Sequence, residues 1–326
     1  MKLLKSFLLL LLTLVIGSVY LMAQAYFSRS NNQEVAQLGT QSVLVPTSTP
    51  YDNPAIDAHG LTPTTGNTRT PTGKPTGQPT RTSTPPQGTP PPNWNSTTTL
   101  PPGSTLPSES ACASLITRSS FEPRPDNNTA NHSVPTAAQI ANISPWGPLI
   151  GMDAKSDSIR KQITGNFTGT TDEILQWVAC KWGIDVNIVR AEAVTESHWH
   201  QSTRGDYTND QTLCPPGTWD GQGCYQSYGI LQVKYTFWKN AWPMTRDDTA
   251  FSAEFVYGWI RNCYEGWADY LYNQTPSPGY PGYHAGDIWG CVGFWFSGGW
   301  YTQGAISYIQ TTQNYYNQKP WLQPGF

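Results

Sequence analysis

The chain has little charge. Only 13% of its 326 residues are Asp, Glu, Lys or Arg, and the formal net charge is -3. Nucleic-acid binders show a basic domain or stripe, so this balance argues against that class. It also leaves no bulk field to draw the chain onto an anionic surface, and recognition has to be local. Cysteine is missing from the first 111 residues, and the six that follow contain no C-x-x-C pair, which removes a common zinc spacing. His198 and His200 form an H-x-H pair, yet a zinc site wants further ligands and His284 is the only other histidine beyond residue 170. No metal is expected.

Long apolar runs are also lacking, except at the start. Lys2 and Lys5 precede an apolar run at residues 7–22, and Ala23-Gln24-Ala25 supplies a small-x-small cleavage pattern. This is the three-part layout of an export signal, and the run is short for a membrane span of ~20 residues. Residues 1–25 therefore read as a signal peptide or as an uncleaved membrane anchor with its lysines on the cytoplasmic side. Either way the remainder is exported, to be secreted or held at the cell surface.

Apolar side chains then almost disappear. Residues 26–110 are rich in Pro, Thr and Gly, most of all at 62–86. Such a segment cannot offset its ordering entropy and reads as a disordered linker. Residues 111–165 are intermediate. Phe121, Ile140, Ile143, Trp146, Leu149 and Ile150 recur among polar residues, as in a loop-rich strap lying on a domain.

The region at about 170–318 is expected to be the core of a mainly α domain spanning residues 111–326. Thr171, followed by Asp172 and Glu173, marks a helix start. Ile174, Leu175, Val178 and Ala179 follow at helical spacing, and Gly183 ends the helix. Asp185 caps the next one, in which Val186, Val189, Ala193 and Glu196 share a face. A third helix is expected over 249–263, a loop over 273–290 and a last helix over 303–317. Residues 227–233 are too short for a long helix and read as a turn or strand edge.

Six cysteines in an exported chain point to three disulfides, with fifteen possible pairings. Cys214–Cys224 is favoured because the residues between them form a turn-rich loop. Cys263–Cys291 would tie two helical regions, leaving Cys112–Cys180 to strap the segment before the core.

Glu196 sits where a carboxyl can do chemistry. It continues an apolar face, with Trp199 three residues on, and burial of this kind raises a carboxyl's pKa until it is a useful acid near neutrality. Ser197 is beside it, and S-Y-G-I-L-Q-V follows at 227–233. A helix ending in Glu-Ser, followed by a Gly-apolar-apolar-Gln turn, resembles the catalytic core of the lytic transglycosylase and goose-type lysozyme families. The resemblance covers about residues 170–318. It implies a lysozyme-like helical fold, peptidoglycan glycan strands as substrate and partner, and no cofactor. It assigns Glu196 as acid/base and Ser197 to orienting an N-acetyl group. Tyr228, Gly229 and Gln232 fall in the turn that lines the groove. The family's A-Y-N-A-G segment corresponds to F-W-F-S-G at 294–298, so Trp295 stands at its groove Tyr and Phe296 replaces its Asn. Tyr308, in S-Y-I-Q-T-T at 307–312, corresponds to a Tyr on its last helix.

The family's pattern implies cleavage of the MurNAc–GlcNAc β-1,4 bond to 1,6-anhydro products. A hydrolytic lysozyme would want a second carboxylate. Asp206, Asp210 and Asp220 lie between the two motifs and read as solvated loop acids, any of which could instead face the cleft. A non-catalytic wall-binding module that keeps the aromatic groove is the alternative outside enzymes. The chain has 14 Trp and 17 Tyr. Most are assigned to the core, with Trp295 and Trp300 as the exposed, sugar-stacking pair.

Overall fold

A computed structural model describes residues 96–146 and 152–326. The proposed signal and most of the proposed linker lie outside the described residues, as do Leu149 and Ile150. The described part is mainly helical and carries one small sheet. Its longer helices are α1 (Glu109–Leu115), α2 (Thr171–Trp182), α3 (Val186–Ser197), α4 (Thr249–Tyr264), α5 (Ile288–Ser297) and α6 (Gln303–Gln318).

Helix α4 is the axis of the core, and all of its residues from Thr249 to Tyr264 are buried. Helices α2 and α5 pack against it, while α3 packs on α2 and α6. Between α3 and α4 lies an antiparallel sheet of β1 (Arg204–Thr208), β2 (Cys224–Tyr228) and β3 (Val233–Lys234), in the order β1-β2-β3. Gly205 pairs with Ser227, and Tyr228 pairs with Val233.

The helix ends follow local chemistry. Thr170, one residue before the expected position, caps α2, and Glu173 completes a capping box with it. Gly183 ends α2 in the left-handed region at φ 59°, where a side chain is strained. A Cβ there would also meet Leu100 at 2.8 Å. Asp185 accepts from the Asn187 amide and starts α3. The tight turn at 183–185 lays α3 against α2, and this fixes where the end of α3 points.

The expected linker boundary at residue 110 is corrected by this segment. Residues 96–110 belong to the folded body. The Leu100 amide donates to the Gly183 carbonyl at 2.8 Å, and the Val186 amide donates to Ser96 at 2.8 Å. Arg261 on α4 donates to the Leu100 and Pro101 carbonyls, each at 3.0 Å. A segment without apolar periodicity is thus held through its backbone.

Cys112 is bonded to Cys180, Cys214 to Cys224 and Cys263 to Cys291, and no free cysteine remains among the described residues. These are the pairs favoured from sequence. The first clamps α1 onto α2, and the third clamps α4 onto α5. Lys181 pairs with Glu109 and with the fully buried Glu254, adding an ionic tie among α1, α2 and α4. Three disulfides fit an extracellular protein. Among the described residues no helix is long and apolar enough to cross a membrane.

Candidate active site

The end of α3 carries an acid in an unusual setting. Glu196 is half-buried, and the hydroxyl of Tyr308 on α6 donates to its Oε1 at 2.5 Å. Removal from water pushes the Glu196 carboxyl up to about 7, although the Tyr308 hydrogen bond pulls the other way and the Asp206 charge adds to the rise. Such a group is populated in both its acid and its base form near neutral pH.

The turn after β2 is fixed to the same helix end. The hydroxyl of Ser197 donates to the Ile230 carbonyl at 2.8 Å. Gly229 has φ 85°, and a Cβ there would run into the Thr245 carbonyl and come within 2.6 Å of the Ser252 hydroxyl. The amide of Ile230 donates to the Gln201 side chain at 2.8 Å. Gln232 turns its side-chain amide back onto the Gly229 carbonyl at 2.8 Å and the Thr203 carbonyl at 3.1 Å. Ser197, Gly229 and Gln232 are therefore brought to the end of α3 as one hydrogen-bonded unit. In this arrangement their polar groups brace the turn.

The aromatic expectations need correction. Trp300 is not exposed; its accessibility is 0%. It fills the space left by the missing side chain of Gly290, packs edge-on to Tyr283 at 4.8 Å and donates from its indole to Pro281. Tyr228 is likewise buried, with its ring against Trp242 at 4.8 Å. Trp295 is partly buried against the core. The open ring is Phe296, 56% exposed, which stacks on Tyr308 with centroids 4.6 Å apart and planes within 7°. Trp199 does not supply the aromatic partner of Glu196. Its indole donates to Arg190 and its ring packs on Trp321 and Phe326, leaving Tyr308 as the aromatic bonded to the acid.

The three aspartates separate cleanly. Asp210 caps the short helical turn at Gln211–Leu213, and Asp220 accepts amides within its own turn. Asp206 lies instead on β1, a strand and not the loop expected from the sequence. Its carboxylate is held by the Ser227 hydroxyl at 2.5 Å and Lys234 at 3.3 Å, and its charge is felt at Glu196.

A second acid went unnoticed in the sequence. Glu192, one turn before Glu196 on the same face, is 0% exposed. It accepts from the Tyr257 hydroxyl on α4 at 2.5 Å and lies 3.3 Å from the Tyr308 hydroxyl. Burial, with the neighbouring Glu196 charge and against the two tyrosine hydrogen bonds, pushes its carboxyl up to about 8. The available signal was an acid inside the apolar run V-N-I-V-R-A-E-A-V.

His198 and His200 do not converge. His198 bonds to the Val194 carbonyl, and His200 bonds to Asp126. A cavity of about 420 Å³ elsewhere is bounded by Phe121, Asp172, Arg190, Trp199 and the segment at 321–326. Glu196 does not line it, so this cavity and the acid with the raised pKa are different places. No family model, curated protein or solved structure matches this chain.

Proposed function

We propose that this protein is an exported enzyme that cleaves the MurNAc–GlcNAc β-1,4 bond of peptidoglycan glycan strands, with a lysozyme-like catalytic domain and Glu196 as its single acid/base. The observation that carries this reading is the Glu196 carboxyl at the end of α3, bonded to Tyr308 and next to Ser197, whose hydroxyl ties that helix end to the turn at 229–232. In the first step Glu196 gives its proton to the leaving glycosidic oxygen as the C1–O bond breaks and positive charge develops on the muramyl ring. The resulting carboxylate then takes the proton of the muramyl 6-hydroxyl, and O6 bonds to C1. The product is a 1,6-anhydro end, and Glu196 regains its proton. A group balanced near neutrality suits both halves of this cycle. The exposed face of Phe296, stacked above Tyr308, offers a flat apolar surface for a sugar ring.

One observation favours a second reading. Asp206 is anchored on β1 within electrostatic reach of Glu196, as a second carboxylate of a hydrolytic lysozyme would be. Mass spectrometry of digested peptidoglycan separates the two, since anhydro ends mark transglycosylation and reducing ends mark hydrolysis. Glu196→Gln is expected to lower cleavage by roughly 10²–10⁴-fold, the usual worth of general acid–base catalysis, with binding to insoluble wall retained. Cleavage surviving in that variant refutes the assignment. Wall binding by the unaltered protein with no product of either kind supports a binding module instead.

A further inference from the structure

We propose that Glu192 is a positioning residue for Glu196: it remains a neutral acid, and its carboxyl proton turns the single hydrogen of the Tyr308 hydroxyl onto Glu196. This rests on the reading of Glu196 as the acid/base.

The inference comes from counting hydrogens in a closed space. Two hydroxyls, Tyr257 and Tyr308, and two carboxyls, Glu192 and Glu196, form one chain from α4 through α3 to α6. Each hydroxyl has one hydrogen to give. Tyr257 gives its own to Glu192 Oε2 at 2.5 Å. Tyr308 stands 2.5 Å from Glu196 Oε1 and 3.3 Å from Glu192 Oε1, so its hydrogen belongs to Glu196. An ionised Glu192 would then be a fully buried anion with one neutral donor. Among the described residues no Lys, Arg or His pairs with it, and a buried charge without a partner is not sustained. A proton on Glu192 Oε1 resolves this. It donates to the Tyr308 oxygen, and the chain runs in one direction: Tyr257 to Glu192, Glu192 to Tyr308, Tyr308 to Glu196.

The charged and titratable groups around Glu192 agree with this direction. From α4 it meets Tyr257, from α6 Tyr308 and on its own helix Glu196, whose charge favours the neutral form. Asp185, at the start of α3, acts on Tyr257 and is itself bonded to Tyr316. Asp206 acts on Glu196 from β1. None of these brings a positive charge to Glu192.

The chain also makes the reaction depend on two protons. The first leaves Glu196, the more open member of the pair. When Glu192 ionises at higher pH it competes for the Tyr308 hydrogen and sets a like charge one helical turn from Glu196. The carboxylate form of Glu196 then loses its donor. The alkaline decline of activity should thus steepen from one proton to two, with both steps belonging to the coupled pair.

The test uses the full chain with ¹³C-labelled glutamate carboxyls, in unaltered, Glu192→Gln and Glu192→Leu forms. Gln is the isostere of a protonated Glu and can both donate to Tyr308 and accept from Tyr257; Leu can do neither. The Glu192 carboxyl carbon is expected to stay in its protonated position through pH 7. Cleavage of purified peptidoglycan at pH 6.5 should fall about tenfold or more in the Leu form, in line with an unmet buried hydroxyl, and Gln should recover most of it. The second alkaline step should vanish in the Gln form. A Glu192 carbon that titrates below pH 5 overturns the proposal, as does a Gln form as impaired as the Leu form. If the unaltered protein cleaves no peptidoglycan, the enzymatic reading fails, and the carboxyl spectra still decide the state of Glu192.

Discussion

The hydroxyl of Tyr308 has a calculable effect on Glu196, and Tyr308→Phe removes it while keeping the ring. The ring remains, so its stacking with Phe296 at 4.6 Å is retained. What disappears is the 2.5 Å hydrogen bond to the Glu196 carboxyl, in a site sheltered from water, together with the longer 3.3 Å contact to Glu192. Hydrogen bonds to charged groups contribute about 1.5–3 kcal/mol, and a pKa unit corresponds to about 1.4 kcal/mol. Tyr308 lowers the Glu196 value against the larger effect of desolvation, so its loss raises that value from about 7 by roughly one to two units. The acid form then persists to higher pH. The pH dependence of peptidoglycan turbidity loss should show its alkaline limb moved upward by that amount. The plateau should drop, because a weaker acid protonates the leaving oxygen less well. The carboxyl carbon of Glu196 should report the same upward move without any substrate. An alkaline limb that stays in place, or moves to lower pH, refutes this account of how Glu196 is held.

Two further predictions concern stability. Glu192, Glu196 and Asp248 have folded pKa values raised by burial, the last to about 8, so the folded chain binds more protons than the unfolded one between about pH 4 and 8. Their contribution is fully present below the unfolded values and is lost as pH rises through the folded ones. The denaturant midpoint should therefore fall from pH 5 to pH 8.5, and Glu192→Gln should flatten that fall; a midpoint constant over this range in the unaltered protein contradicts it. Replacing Cys112 and Cys180 together by Ala opens a tie across a sequence separation of 68. Chain entropy puts the loss at about 4 kcal/mol, readable in urea unfolding, and a loss under about 1 kcal/mol would mean that the unfolded chain is already restrained there.

What the sequence discloses here is what depends on near neighbours. Gly183, Asp185 and the face carrying Glu196 are fixed by residues within a turn or two and are legible, and the cap before α2 is legible to within one residue. So is the short loop closed by Cys214 and Cys224. The retention of residues 96–110 is not legible because their partners are distant in sequence, Gly183 and Val186 on one side and Arg261, about 160 positions away, on the other. A Pro- and Thr-rich stretch gives no local sign that a distant guanidinium will collect its carbonyls. Strand β1 gives no local sign because Gly205, Asp206 and Thr208 weaken its pattern, and its pairing with β2 is a non-local event. Trp300 was assigned to the surface on aromatic density alone, although the hole that receives it is made by Gly290.

The same distinction separates the identity of the acid from its strength. Glu196 is singled out in the sequence by α3 together with the turn at 229–232, but these segments do not determine its proton affinity. Tyr308 arrives from 112 positions away, Asp206 from the sheet, and Glu192 from the preceding turn with Tyr257 of α4 behind it. Tyr308 reaches Glu196 because α3 packs on α6, and the Ser197 hydroxyl pins the turn at 229–232 that follows β2. Substitutions that loosen those two contacts should consequently shift the pH dependence of activity before they abolish it. Substitutions of equal destabilising effect near the Cys214–Cys224 loop should lower the amount of folded protein and leave that profile where it was. Measuring both sets at matched stability separates tuning of Glu196 from mere folding, and coincident profiles in the two sets would show that the tertiary setting does not govern the acid.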